Sequence, residues 1–297
     1  MTEEDRSGSR HLSGREKRQV LEALRPRAAV VHEIIREEGE EELERSARAL
    51  VFSGLAAGLS MGFNLVALGL LRYYLPDAHW APLIESTGYT LGFIIVVLGR
   101  QQLFTENTIT VVIPLLTRRS LNCLIGVARL WALVLAANLA GTAIFAGIAY
   151  YSPVSSPDLH EPFLELAKHA MEGDFWALCS QGVLAGWLIA LMVWLLPSAG
   201  SARVLVIFLI TYVVALGGFA HIVAGSVEAF YALFAGEITL LGYLKDFFAP
   251  VLIGNVIGGS ALVAILNHAQ VHGEVTGEEE DEFKLEKDKL DQEATAD

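Results

Sequence analysis

The sequence predicts an all-α integral membrane protein of six transmembrane helices, arranged as an inverted 3+3 repeat with the second and fifth helices broken near midspan. Three observations carry this expectation. The 297 residues are 53% hydrophobic and 19% charged, with a mean hydropathy of +0.46, a composition that belongs to lipid rather than water. Charge is pushed to the ends: residues 49–273 hold 11 acidic and 8 basic side chains, and the two flanking segments hold the remaining 23 and 13. Finally, short motifs recur in the same order in both halves, and each half contains one apolar run with a polar or glycine-rich interruption at its centre.

The cytoplasmic segment 1–48 comes first. Its opening stretch, MTEEDRSGSRHLSGREKR, has no apolar core and no small-residue cleavage site, so it does not read as a signal peptide. Val20, Leu21, Leu24, Val30, Val31, Ile34, Ile35 and Leu43 recur at a roughly helical period within residues 15–48, interrupted at Pro26. This pattern fits an amphipathic helix at the membrane surface or a plain connector helix. The membrane domain spans 49–268, in halves of about 49–151 and 175–268. The first span, Ala49 to Leu71, holds no charged residue and is long enough to cross a hydrocarbon layer of about 30 Å. Arg45 and Arg48 precede it, and Arg72, Tyr73 and Tyr74 anchor its far end.

The second apolar region, Leu83 to Leu116, is too long for one ordinary span and carries RQQLFTEN (Arg100 to Asn107) in its middle. Lipid cannot satisfy polar groups at that depth, which predicts two half-helices joined by a loop that lines a cavity or is buried in protein. Ordinary spans are expected at Leu130 to Tyr151, Phe175 to Leu196 and Phe247 to Leu266. The fifth, Val204 to Phe234, repeats the anomaly with GGFAHIVAG (Gly217 to Gly225), where adjacent glycines weaken the helix beside an ionisable His221. Basic residues near the starts of spans one and three and between four and five (Arg45, Arg48, Arg118, Arg119, Arg203) outnumber Arg72, Lys168 and Lys245 on the other side, which predicts both termini in the cytoplasm. The tail 269–297 is acidic, with net charge −8 over residues 274–297 from eleven acidic and three basic side chains, and is expected to be solvated and disordered. Cys123 and Cys179 have neither CxxC nor His spacing, so no disulfide, metal or cofactor is implied.

The repeat pairs GLAAG (Gly54 to Gly58) with GVLAG (Gly182 to Gly186), LeuGly at Leu98–Gly99 with Leu216–Gly217, and NLAG (Asn138 to Gly141) with NVIG (Asn255 to Gly258). Three spans per half is an odd number, so the halves must enter the membrane from opposite sides. Paired interrupted helices at matching positions are the sequence's pointer to a transport site.

LFTEN (Leu103 to Asn107), FAHIVAG (Phe219 to Gly225) and GNVIGG (Gly254 to Gly259) together resemble the formate/nitrite transporter family, and RQQLFTEN with HIVAGSVE resembles its YfdC-type branch. The resemblance covers roughly residues 30–272. It implies an aquaporin-like protomer in a bacterial inner membrane, assembled as a homo-pentamer with one pore per protomer. It also implies His221 and Thr105 at the pore centre, constrictions lined by Tyr89, Phe93, Leu103, Phe104, Ile189 and Val214, and Lys168 attracting anions in the outer vestibule. Arg100, Gln101 and Gln102 stand where formate and nitrite transporters usually carry Gly, a small residue and an acid; Ala220 and Gly225 replace the usual Glu and Asn. The resemblance therefore implies a fold and leaves the substrate open.

The chemistry expected of such a pore follows from cost. A bare monovalent anion crosses an apolar constriction only at several kcal/mol. Histidine titrates near pH 6.5 when unperturbed, so His221 can hand a proton to an anion and let it cross as the conjugate acid, with Thr105 hydrogen-bonding at the same level. Arg100 is either a structural cation held by Glu106, Glu228 or backbone carbonyls, or a fixed anion-attracting charge. Asn138 and Asn255 are expected to bond the broken backbone, and His268 and His272 to sit at the interface. Expected partners are a small monovalent anion or its acid and the lipid bilayer, with no nucleic acid. A neutral-solute pore and a closed-pore scaffold or sensor are the alternatives. An enzyme is not expected, because no nucleophile motif, carboxylate pair or metal set accompanies His221.

Overall fold

The computed structural model describes residue 13 and residues 27–152, 156–265, 269 and 270; the first part of the expected amphipathic helix, His268, His272 and the acidic tail lie outside them. Among the described residues there is no strand. Helix α1 (Ala28–Glu44) begins just past Pro26 and buries Val31, His32, Ile35, Gly39 and Glu40. An extended Arg45–Ser46 link, with the Ser46 hydroxyl accepting from Ala49 N at 3.3 Å, starts α2 (Ala47–Tyr74), which stops before Pro76.

The second apolar region is built from α3 (Ala81–Glu85), α4 (Thr90–Leu98), α5 (Asn107–Thr110) and α6 (Val112–Arg118), with non-helical backbone after Leu98. Next come α7 (Leu121–Tyr151), α8 (His160–Ala170) and α9 (Phe175–Leu195). The fifth apolar region is two pieces, α10 (Arg203–Leu216) and α11 (Ile222–Phe234). The last span, α12 (Leu240–Ala261), includes wider π-type winding over Tyr243–Phe248 and from Ile257 onward.

By length and composition five helical stretches can cross a membrane: Ala47–Tyr74, Ala81–Leu98, Leu121–Tyr151, Phe175–Ser198 and Leu240–Ala261. The fifth expected span is delivered instead as two shorter apolar helices.

Two expected boundaries move outward. Span three begins at Leu121 rather than Leu130, because Ser120 caps the Cys123 N–H at 3.2 Å and Arg129 stays inside the helix by donating to the Arg45 carbonyl at 2.8 Å. Span six begins at Leu240 rather than Phe247: Thr239 caps it, and Lys245 and Asp246 are carried in its first turns on the exposed side. Charge marked both sequence boundaries, and a helix end tolerates charge wherever the side chain reaches water or a partner.

The described helices pack around one large apolar core and a smaller one that gathers Val31 and Ile35 of α1 with Ile109, Ile113 and Ala190. Helix α2 lies against α7, and α9 against α12, each at close range because small residues face each other. A Cβ on Gly58 would run into the Asn138 carbonyl, and one on Gly186 into the Asn255 carbonyl. These close approaches put Asn138 and Asn255, both fully buried, beside the two breaks.

Candidate functional site

The breaks have the same backbone plan. After α4, Gly99 N bonds Ile95 O, Arg100 N bonds Val97 O and Gln101 N bonds Val96 O; after α10, Gly217 N bonds Val213 O, Gly218 N bonds Ala215 O and Phe219 N bonds Val214 O. Each plan turns through one left-handed residue, Arg100 at φ 50° and Gly218 at φ 63°. Glycine takes that conformation without strain, whereas a side chain there costs about 1 kcal/mol.

An asparagine then holds each freed strand. Asn138 Nδ2 donates to Gly54 O and Gln102 O, both at 2.8 Å, and its Oδ1 accepts from Phe104 N at 2.9 Å. Asn255 Nδ2 donates to Gly182 O and Ala220 O, both at 2.9 Å, and its Oδ1 accepts from Ile222 N at 2.9 Å. Each amide replaces the water that lipid excludes, so irregular backbone can exist at this depth. The first break has extra supports: Gln102 N donates to Ser53 Oγ at 3.1 Å, Asn107 Nδ2 to Gln102 Oε1 at 3.0 Å, and Trp131 Nε1 to Asn107 O at 3.1 Å.

Where the breaks meet, Thr105 Oγ1 lies 2.7 Å from His221 Nε2, with both side chains buried. His221 also caps α11: its Nδ1 accepts from Ala224 N at 3.1 Å. A nitrogen that accepts a backbone N–H carries no proton, so the neutral ring has its proton on Nε2 and donates to Thr105 Oγ1. The threonine hydroxyl hydrogen is then free to point at whatever enters. The edge of Phe93 meets the His221 ring at 5.1 Å between centroids, and Tyr89 follows at 5.3 Å from Phe93.

Two cavities lie beside this centre, one along each break. One, about 370 Å³, runs along the first break past Arg100, Gln102 and Leu103 and is walled on the α1 side by Glu38, Glu41 and Glu42, with Glu106 and Arg203. The other, about 600 Å³, runs along the second break to His221 and is lined by Tyr89, Val214, Arg72, Glu85, Gln181 and Glu228 among others.

Of the residues expected at the site, Leu103, Tyr89, Val214, Arg100, Glu106, Glu228 and His221 line one cavity or the other. Thr105 and Phe93 are buried beside His221 and line neither cavity, and so are Phe104, packed on Trp131 at 5.7 Å, and Ile189, both in the surrounding core. Lys168 also lines neither: its ammonium sits 3.4 Å from Glu237, and the neighbouring His169 faces the cavity instead. The vestibule cation is Arg72, clasped by Glu85 at 3.1 Å. Arg100 meets neither Glu106 nor Glu228; its nearest acid is Glu38 at 3.8 Å, and its side chain is largely exposed. Sequence reading missed the α1 acids, Arg72, Gln181 and His169. Arg72 ends the first apolar run, which was a usable signal; α8, which brings His169, had none in an unremarkable loop.

Helices that cross a membrane, broken twice, pinned at both breaks and flanked by a cavity along each, define a membrane channel or transporter. The formate/nitrite transporter family model matches residues 29–269, and the chain belongs to that family. The chain is 40% identical over 261 residues to the inner membrane protein YfdC of Escherichia coli K12, covering 88% of this chain and 84% of that protein. It is 25% identical over 244 residues to the formate channel BtFdhC of Bacillus thuringiensis, covering 78% and 91%. A solved pentameric formate channel with formate bound is similar at TM-score 0.62 and 21% identity, covering 74% of this chain and 95% of that one. This last likeness bears on the fold.

Proposed function

We propose that the chain is an inner-membrane channel for small monovalent anions such as formate, nitrite, hydrosulfide or short carboxylates, which cross its centre as the conjugate acid. The observation that carries this reading is the Thr105 Oγ1 to His221 Nε2 contact of 2.7 Å, made where the two breaks meet, with a cavity along each break. An anion reaching this pair meets the hydroxyl donor, backed by the imidazole and by the first turn of α11. Protonating the ring displaces Ala224 N from Nδ1, so the charged ring is sustained only while an anion sits beside it, and the proton leaves with that anion. Leu103, Phe93 and Tyr89 keep hydrated ions from passing with it.

The six-crossing, aquaporin-like inverted repeat belongs to the same reading. Its support is the matched hydrogen-bond sets at the breaks and the matched asparagines Asn138 and Asn255. Cytoplasmic termini are supported by the gathering of Arg45, Arg118 and Arg129 around α1. A homo-pentamer with a pore in each protomer is proposed from the pentameric formate channel of similar fold, and the mass of the detergent-solubilised assembly tests it.

The functional test is flux in liposomes of formate, nitrite and hydrosulfide across pH, with His221→Ala and Arg100→Gly as comparators. Wild type conducts at least one of them, and His221→Ala loses most of that flux. No flux for any anion at any pH removes the reading; flux untouched by His221→Ala keeps the channel and removes the proton transfer.

A further inference from the structure

The larger cavity contains a carboxyl group that the central pair does not use. Glu228 lies two turns into α11 and is 7% exposed, yet it faces the 600 Å³ vestibule that ends on His221. Among the described residues its carboxylate has no hydrogen bond and no ion pair. The other acids of that vestibule are held: Glu85 by Arg72 at 3.1 Å, and Glu172 by His169 at 3.3 Å. The cation is spoken for as well, since Arg72 also reaches Glu165 at 3.7 Å. An isolated buried carboxylate is costly, and packing alone would favour an apolar residue there. In the first break the position with the same offset from the left-handed residue is Thr110, whose hydroxyl is satisfied by Glu106 O at 2.9 Å; no packing requirement of the plan demands a carboxyl.

We propose that Glu228 is a proton-controlled admission residue for this vestibule, an inference that rests on the anion-channel reading above. As an acid its O–H donates a hydrogen bond to an entering anion; as a carboxylate it repels the same anion in a confined, partly desolvated space. The charged and titratable groups that share the cavity are Arg72 from α2, Glu85 and Tyr89 from the segment entering α4, His169 and Glu172 at the end of α8, and His221 ahead of α11; α9 and α12 contribute the uncharged Gln181 and Phe247. Arg72 is paired with Glu85 and His169 with Glu172, so the positive charge that reaches Glu228 is shared with other acids. The consequence is a flux that falls with rising pH more steeply than the supply of conjugate acid alone dictates.

The test compares formate influx into proteoliposomes for wild type, Glu228→Gln and Glu228→Asp, taking the ratio of variant to wild type at each pH so that the titration of formate itself cancels. Gln keeps the neutral shape and donates a hydrogen bond without ionising. The expected Gln ratio is smallest at the acid end, about pH 5, and rises about tenfold by about pH 8. The Asp ratio stays flat, because a carboxyl remains. A purely structural role scales flux by the same factor at every pH, so a flat Gln ratio overturns the proposal. An Asp ratio that climbs as the Gln ratio should also overturns it; if Glu228→Gln does not assemble, Glu228→Ala, which cannot ionise either, takes its place in the pH series, and a flat Ala ratio overturns the proposal. Wild type that carries no anion at any pH overturns the channel reading as well, which separates the two failures.

Discussion

The two breaks share a backbone and differ in almost every side chain they present. Both turn through a left-handed residue, both return to helix under an asparagine, and both open onto a cavity. The first offers Arg100 at the turn, with Leu103 and Thr105 beyond it; the second offers Gly218 at the turn and His221 at its end. Their surroundings differ too, with acids of α1 flanking the first and Arg72, Glu85 and Tyr89 flanking the second. Backbone hydrogen bonding is therefore the fixed part of this design and side-chain chemistry the free part. A hydroxyl from one break and an imidazole from the other make a site that neither break holds alone.

Four measurements break or sharpen that comparison. The largest effect is expected for Asn138→Ala and Asn255→Ala, each of which strands two carbonyls and one N–H in a buried setting at a cost of about 3 kcal/mol or more. Thermal unfolding in detergent should drop by a similar amount for both, and a clear inequality would mean that the shared backbone is not equally dependent on its clamp. Next, Thr105→Val removes the central hydrogen bond while keeping shape; liposome flux should fall about tenfold with little change in melting temperature. A flux that survives would assign the centre to His221 alone. Third, Arg100→Gly should stabilise by about 1 kcal/mol by relieving a left-handed side chain, and Gly218→Ala should destabilise by about as much. Opposite signs at the two turns are what a common backbone requires. Smallest is Glu38→Gln, whose contact with exposed Arg100 at 3.8 Å is worth no more than about 0.5 kcal/mol.

Much of this was legible before any coordinates. A polar insert in an over-long apolar run placed the first break, because groups at that depth need partners that lipid lacks, and adjacent glycines beside a lone histidine placed the second. The asparagines were legible as the suppliers of those partners, since a polar residue on an otherwise apolar span has few other uses. What escaped was geometry that depends on neighbours far along the chain. Nothing in the sequence around Arg100 indicates Glu38, because the pair is made only when α1 folds back beside the first break. Lys168 and His169 are adjacent in sequence, and only the rotation of α8 decides which of them faces the vestibule. Span limits were read from charge, and Arg129, Lys245 and Asp246 show charge riding inside a helix where it can reach a partner or water.

The asparagine clamps also set a schedule for synthesis. Phe104 N waits for Asn138, 34 residues further on, and Ile222 N waits for Asn255, 33 residues further on. Until that residue emerges, the polar turn just made has nothing in the hydrocarbon to bond with. Neither broken segment can be released to lipid on its own; each has to be kept wet, in the translocation machinery or beside water, until the following span arrives and the two leave together.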